Sequence, residues 1–295
     1  MKEYKLETVD LPTGETIAFR KAGKGEKTFL LIHGNMSSSV HFQNLMEKLE
    51  KYFTVYAIDM VGFGDSSYNR KIQSLEDFSR DITEFIKHFK LKNVYIVGWS
   101  TGGGVALETA VDNQEVVKGV FLLSSVGVSG LKVNGMNMNS WGMMQMDRMF
   151  LKKHIKNDLP TKQHALALKK KDKAFFKLLW DSIYIKRNPD TEEYAAYIEA
   201  MLKQRNLIDV VYSLSNFNMT TTNNGVKDGT GRLYQLRCPI TILHGDLDVV
   251  VPIADARNSV KLIGQRAELI EFDGCGHSLL TDDLDRVYDE IVARV

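Results

Sequence analysis

The sequence predicts an α/β protein in which a mostly parallel, doubly wound sheet carries an inserted helical cap. Short runs rich in valine, isoleucine and leucine alternate with segments of 3.6-residue periodicity. This alternation is typical of strands buried on both faces of a parallel sheet and of the helices that connect them. One long stretch lacks such runs and differs in composition from the rest, which indicates the insertion. The length of 295 residues suits one large domain with an insertion.

The elements are predicted in chain order from local patterns. Residues 3–22 alternate and turn at Pro12-Thr13-Gly14, which predicts a β-hairpin. Buried strands are then expected at residues 28–32, 54–58, 93–97, 117–123, 240–243 and 267–272. Ser74 and Asp77 resemble a capping box and open a helix whose apolar face ends at Phe89. A last helix is expected over residues 279–295.

Residues 129–235 show helical patterns but no convincing parallel strand. They carry 17 Lys and Arg against ten Asp and Glu, and they hold six of the twelve methionines within fourteen positions. We therefore predict an α/β core at residues 1–128 and 236–295 and a helical cap at residues 129–235.

The overall composition disfavours several classes of partner. The 38 Lys and Arg nearly balance 37 Asp and Glu, whereas a surface that binds nucleic acid has a basic excess. No apolar run approaches the roughly 20 residues of a membrane span, and the charged start does not resemble a secretory signal. Cys238 and Cys275 are expected at opposite ends of the sheet and therefore reduced, so we expect a cytoplasmic protein.

A candidate nucleophile follows the strand at residues 93–97. Gly98-Trp99-Ser100-Thr101-Gly102 matches G-x-S-x-G between a buried strand and a helix, the context that this pattern requires. A sharp strand-to-helix turn needs glycines because it leaves no room for side chains, and the N–H groups of the following helix point at a developing anion. The alternative interpretation is a glycine turn between a strand and a helix in which the serine has no catalytic role.

A serine hydroxyl needs a base and an acid that orients the base. Of seven histidines, His277 lies in a glycine-flanked loop after a late strand, where catalysis is more plausible than a structural role. Asp246 and Asp248 follow another strand, and either could be a turn residue. We favour Asp248 as the acid, with Asp246 holding the turn.

These motifs together resemble the α/β-hydrolase fold family. The resemblance rests on His33-Gly34, on Asp59-Met-Val-Gly-Phe-Gly-Asp-Ser66, on the serine turn, on Gly245-x-x-Asp248 and on Gly276-His277, all in the order of the family. It implies acyl transfer by Ser100, His277 and Asp248.

The resemblance also implies an oxyanion hole and no cofactor. The backbone N–H groups of Asn35 and Thr101 would stabilise the oxyanion, although many relatives carry an aromatic residue at the position of Asn35. The serine disfavours dehalogenase and epoxide hydrolase chemistry, which needs an aspartate nucleophile. No metal-binding or phosphate-binding motif is present in the sequence, so neither a metal nor an organic cofactor is expected.

The cap is expected to choose the substrate, with Trp99, Met143 and Met146 as candidate contacts. Ordinary packing of the cap on the core is the simpler explanation for any one methionine. Lys169, Lys170, Lys171 and Lys173 precede an apolar stretch that indicates either a solvated helix or a helix that meets an anionic or apolar surface.

Three further motifs resemble intracellular short-chain polyhydroxyalkanoate depolymerases of Gram-positive bacteria. They are Gly98-Trp-Ser-Thr-Gly-Gly103, Leu122-Leu-Ser-Ser-Val-Gly127 and Gly229-Thr-Gly-Arg232. The resemblance implies a small ester or polyester as substrate. An acyl-homoserine lactonase and a ligand receptor or regulatory partner of the same fold remain alternatives. The sequence does not indicate an oligomeric state.

Overall fold

The computed structural model describes residues 1–138, 144–186 and 191–295. The strands of this part are β1 (Leu6–Asp10), β2 (Thr16–Ala22), β3 (Thr28–Ile32), β4 (Thr54–Ile58), β5 (Val94–Trp99), β6 (Val117–Leu123), β7 (Asn134–Met138), β8 (Met144–Arg148), β9 (Ile240–Gly245) and β10 (Ala267–Phe272). The helices are α1 (Gln43–Leu49), α2 (Leu75–His88), α3 (Thr101–Asp112), α4 (Lys152–Asn157), α5 (Leu159–Lys170), α6 (Lys173–Asp181), α7 (Glu192–Met201), α8 (Leu207–Ser215), α9 (Ile253–Ile263), α10 (Leu279–Asp282) and α11 (Leu284–Val292). None of these helices is both long and apolar enough to cross a membrane.

Eight strands form the main sheet in the order β1-β2-β4-β3-β5-β6-β9-β10. β1 and β2 form the predicted hairpin, β2 pairs antiparallel with β4, and the other neighbours are parallel. All six predicted buried strands are present. β5 and β9 extend two residues beyond their predicted ends, to Trp99 and Gly245, because these residues still pair with neighbouring strands. The predicted α/β class is confirmed.

Helices cover both faces of the sheet, because successive strand residues point to opposite faces. On β3, Ile32 belongs to a core cluster with Phe78 of α2. Its neighbour Leu31 packs on the other face with Ile291 of α11. These four side chains are fully buried. Because both faces of the sheet are covered, the strand sequences are continuous apolar runs rather than alternating polar and apolar residues.

The stretch between β6 and β9 holds helices α4 to α8 and a small antiparallel sheet of β7 and β8. The sequence predicted only helices in this stretch, so the β7–β8 hairpin is a difference from the prediction. Asn134, Gly135 and Asn137 are residue types that are depleted in strands, so local propensity gave no sign of it. This part packs on the core where Tyr197 of α7 stacks on His41, with ring centroids 4.5 Å apart.

Two helix boundaries differ from prediction. Ser74 precedes α2 but makes no capping hydrogen bond with its side chain, and the Asp77 carboxylate accepts the N–H of Gln73 instead. The last helix is broken at Asp283, whose side chain caps α11 by accepting the N–H of Arg286 at 3.3 Å. An aspartate at a helix start satisfies backbone donors that would otherwise lack partners.

Candidate active site

The predicted site residues lie at one edge of the main sheet. Asn35 follows β3, Ser100 follows β5, Asp248 follows β9 and His277 follows β10. These four strands are parallel, so their carboxyl ends meet at the same edge. Ligand sites of open α/β sheets are usually formed by loops at this edge.

Ser100 occupies a strained turn between β5 and α3. Its φ of 55° and ψ of −118° lie where residues with side chains are rarely found. Larger residues do not fit at the flanking glycines, because a Cβ on Gly102 would lie only 2.2 Å from the Ile32 carbonyl oxygen. A Cβ on Gly98 would lie 2.4 Å from the carbonyl oxygen of Gly102. The backbone therefore has the geometry that G-x-S-x-G requires.

His277 and Asp248 form a buried hydrogen-bonded pair. Nδ1 of His277 lies 2.8 Å from Oδ2 of Asp248, and the two residues are only 3% and 7% exposed. Because the carboxylate can only accept, Nδ1 carries the proton and Nε2 is left as the basic nitrogen. Nε2 has no hydrogen-bond partner among the residues that the structure describes. This orientation is the one that a general base needs.

Three further groups hold the Asp248 carboxylate. Its Oδ1 accepts the N–H groups of Val250 at 2.8 Å and Val251 at 2.9 Å. His244 Nε2 lies 3.3 Å from Oδ2 and 2.8 Å from the carbonyl oxygen of Val251. Burial opposes ionisation, but the hydrogen bonds from His244 and His277 hold the pKa of Asp248 well below its usual value. Asp248 therefore stays a carboxylate at neutral pH.

Asp246 has a different environment. Its side chain is exposed, and its Oδ1 accepts the N–H of Gly274 at 2.7 Å across the neighbouring loop. It makes no contact with His277 that the structure records. Of the two candidate acids, the structure brings only Asp248 to the histidine.

Trp99 connects the serine turn to the histidine loop. Its indole N–H donates to the carbonyl oxygen of His277 at 2.9 Å, and the two rings lie 5.9 Å apart. No hydrogen bond joins the Ser100 hydroxyl to His277 among the described residues. Contacts between a nucleophile and its base are often long in enzymes and tighten only when a substrate binds.

Asn35 and Thr101 are placed beside the serine. A Cβ on Gly34, the residue before Asn35, would lie 2.9 Å from the Ser100 Cβ. Within the described chain, neither the Asn35 nor the Thr101 N–H has a hydrogen-bond partner. Both donors are thus free to bind an oxyanion.

Gln204 ties the Asn35 loop to the segment that follows α7. Its side-chain oxygen accepts the N–H of Met36 at 3.0 Å, and its Nε2 donates to Oδ1 of Asn35 at 2.8 Å and of Asn206 at 3.0 Å. Gln204 could not be predicted from the sequence, because it belongs to no motif and lies 169 positions from Asn35. His244 was also missed as a partner of Asp248, although its position four residues before the acid was a usable signal.

The three residues that the sequence suggested as substrate contacts have different environments. Trp99 is 1% exposed, and its indole N–H is bonded to the His277 carbonyl oxygen, so little of its surface is open to a substrate. Met146 on β8 is 72% exposed, and no recorded contact links it to Ser100. Met143 lies outside the described residues. No group of three histidine, cysteine or acidic side chains in the described chain is arranged to hold a metal ion.

Known proteins similar to this chain include hydrolases and esterases. A family model described as alpha/beta hydrolase fold matches residues 27–284. An uncharacterized protein of Mycobacterium tuberculosis is 27% identical over 281 residues, which cover 92% of this chain and 76% of that protein. The pimeloyl-[acyl-carrier protein] methyl ester esterase of Wigglesworthia glossinidia brevipalpis is 26% identical over 226 residues, 68% of this chain and 85% of the esterase.

The fold also matches solved structures. An esterase from Exiguobacterium antarcticum superposes with a TM-score of 0.75 at 18% identity, covering 97% of both chains. At this identity the likeness concerns the fold.

Proposed function

The chain belongs to the α/β-hydrolase fold family, and from this premise we propose that it is a serine hydrolase that cleaves carboxylic esters through an acyl-enzyme. Ser100 is the nucleophile, His277 is the general base and Asp248 is the acid that orients it. The observation that carries the proposal is the buried His277–Asp248 hydrogen bond of 2.8 Å beside the strained turn of Ser100.

In the first half of the reaction, Oγ of Ser100 attacks the ester carbonyl carbon and its proton passes to Nε2 of His277. Asp248 stabilises the imidazolium that forms. The tetrahedral oxyanion accepts the N–H groups of Asn35 and Thr101, each worth about 2.7–4 kcal/mol by analogy with single-donor losses in other enzymes. The carbon–oxygen bond to the alcohol then breaks, and His277 returns the proton to the departing oxygen.

In the second half, His277 removes a proton from water while the water oxygen attacks the acyl carbon. The bond to Ser100 breaks, the carboxylic acid leaves and Oγ regains its proton. The chemistry therefore needs the same three side chains twice and no external acid or base.

Short-chain esters and hydroxyalkanoate esters are the substrates that we propose to test first. The support is the resemblance of the serine turn, the β6 end and Gly229-Thr-Gly-Arg232 to polyhydroxybutyrate depolymerase-like enzymes. The names of two relatives, an esterase and a methyl ester esterase, point to the same bond type. Residues 129–235 are proposed as the cap that covers this site. The two free cysteines agree with a cytoplasmic location.

Ester hydrolysis across acyl lengths from acetyl to dodecanoyl tests the proposal, with Ser100→Ala as the background. Amorphous polyhydroxybutyrate and an acyl-homoserine lactone extend the series. We expect turnover that is highest for short acyl groups and disappears in the variant. Tight binding of a ligand without Ser100-dependent turnover of any ester would contradict the proposal and favour a receptor of the same fold.

A further inference from the structure

One cleft among the described residues does not have Ser100 in its lining. It has a volume of about 850 Å³ and lies between the loop after β4 and the helices of the insertion. Its walls include Tyr68 from the core, Leu168 of α5, and the segment from Leu202 to Asp209, which contains the link between α7 and α8 and the start of α8. A volume of this size lies within the range of about 300–1,000 Å³ that is usual for small-molecule sites.

The cleft is strongly basic. Seven cationic residues line it against two acidic ones. The cations are Lys71, Lys152, Lys156, Lys169, Lys171, Lys203 and Arg205, and the acids are Asp65 and Asp209. This concentration is unexpected in a chain whose net charge is +1, and it includes Lys169 and Lys171 of the lysine run.

Several of these cations are not neutralised. Lys152 pairs with Asp209 at 2.8 Å, and Lys203 pairs with Asp65 at 2.7 Å. Among the described residues, no carboxylate pairs with the other four lysines of the cleft, which are Lys71, Lys156, Lys169 and Lys171. Unpaired cations that converge on a concave surface repel one another, and an anion bound between them relieves this repulsion.

One side chain connects the wall of the cleft to the loop beside Ser100. Gln204 lines the cleft and is buried, and its amide group is bonded to Met36 N–H and to Asn35 Oδ1 in the loop beside Ser100. Gln204 therefore contacts both the cleft and the loop that carries Asn35, one of the proposed oxyanion donors.

We propose that this basic cleft binds the phosphate-bearing part of an acyl ester or thioester substrate. The inference rests on the proposed function for the acyl transfer itself, and it adds the chemical class of the leaving group. Phosphate oxygens accept short, charge-assisted hydrogen bonds from lysine, which neutral alcohols do not provide. We commit to a soluble carrier rather than a bilayer, because the lysines line a concave volume that a flexible soluble ligand can enter.

Direct binding tests the cleft without catalysis. Coenzyme A serves as the soluble phosphate probe and phosphatidylglycerol vesicles as the lipid probe, with titration calorimetry on the full-length Ser100→Ala protein. The test variant is Lys156→Gln/Lys169→Gln, and the matched control is Lys153→Gln/Lys170→Gln. The control removes two exposed lysines from the same two helices, α4 and α5, but neither residue lines the cleft.

We expect coenzyme A binding that weakens as salt rises, and a Kd that increases roughly tenfold in the test variant and less than twofold in the control. Equal loss in both variants would show nonspecific attraction to a basic surface and would overturn the site. Lysine-dependent binding to vesicles without binding of coenzyme A would also overturn the proposal, in favour of a lipid surface.

Kinetics separates this inference from the proposed function. Butyryl-coenzyme A and the butyryl thioester of N-acetylcysteamine share the acyl group and the thioester bond, but only the first carries phosphates. We expect KM for butyryl-coenzyme A to rise roughly tenfold in the test variant with kcat unchanged, and no change for the other thioester. If coenzyme A binding depends on the lysines but no ester or thioester is cleaved, the proposed function is wrong. The cleft then binds phosphate groups but does not bind them as part of a substrate.

Discussion

Replacing His277 with alanine should reduce kcat for a short-chain ester by about 10⁶-fold. Without the imidazole, nothing in the site removes the Ser100 proton, and the hydroxyl is a poor nucleophile. The loss should fall on kcat rather than on KM, because His277 acts on the reacting bonds. Steady-state kinetics with purified protein measures both constants.

The control for this change is His88→Ala, at the exposed end of α2 and remote from the sheet edge that carries the site. We expect full activity from this control. Circular dichroism and thermal melting establish that both variants remain folded. A His277→Ala protein that is folded and keeps a tenth or more of the wild-type kcat would remove His277 from the mechanism.

The second large effect is expected at the acid. Asp248→Asn should lower kcat by about 10⁴-fold, by analogy with the loss of the equivalent carboxylate in other serine hydrolases. An asparagine can present an N–H to Nδ1 of His277, which favours the tautomer whose Nε2 carries the proton and cannot act as a base. The substitution also removes the negative charge that stabilises the imidazolium.

Asp246→Asn is the matched control, since it makes the same chemical change two residues away. The asparagine oxygen can still accept the N–H of Gly274, so we expect activity within a few-fold of wild type. Kinetics of the two variants under identical conditions ranks the carboxylates. A larger loss in Asp246→Asn than in Asp248→Asn would show that the acid has been assigned to the wrong residue.

The strands and the site edge were predictable from the sequence because their signals are local. Residues 28–32 and 117–123 are continuous apolar runs that only a doubly covered sheet can bury, and β3 and β6 have these bounds. Ser100 could be found because its turn has no space for a Cβ at Gly98 or Gly102, so the glycines are visible in the sequence. Once strand order is known, the edge where His277 and Asp248 meet follows.

Long-range contacts in the insertion could not be predicted from the sequence. Gln204 has no neighbouring signal, and its role depends on how the segment after α7 lies against the Asn35 loop. The basic cleft likewise gathers lysines from the β4 loop, α4 and α5, which sequence spacing does not bring together. The packing of Trp99 is equally non-local, since its burial and its bond to the His277 carbonyl oxygen depend on contacts between separate loops.

Covalent labelling at Ser100 tests the central claim most directly. A fluorophosphonate reacts with a serine hydroxyl only where a base activates it, so labelling reports nucleophile and base without knowledge of the substrate. Intact-mass and peptide mass spectrometry of the wild type, Ser100→Ala and His277→Ala identify the modified residue. We predict one adduct per chain on Ser100, which both substitutions abolish. A folded wild-type protein that takes up no label, or an adduct that forms equally in Ser100→Ala, would contradict the account.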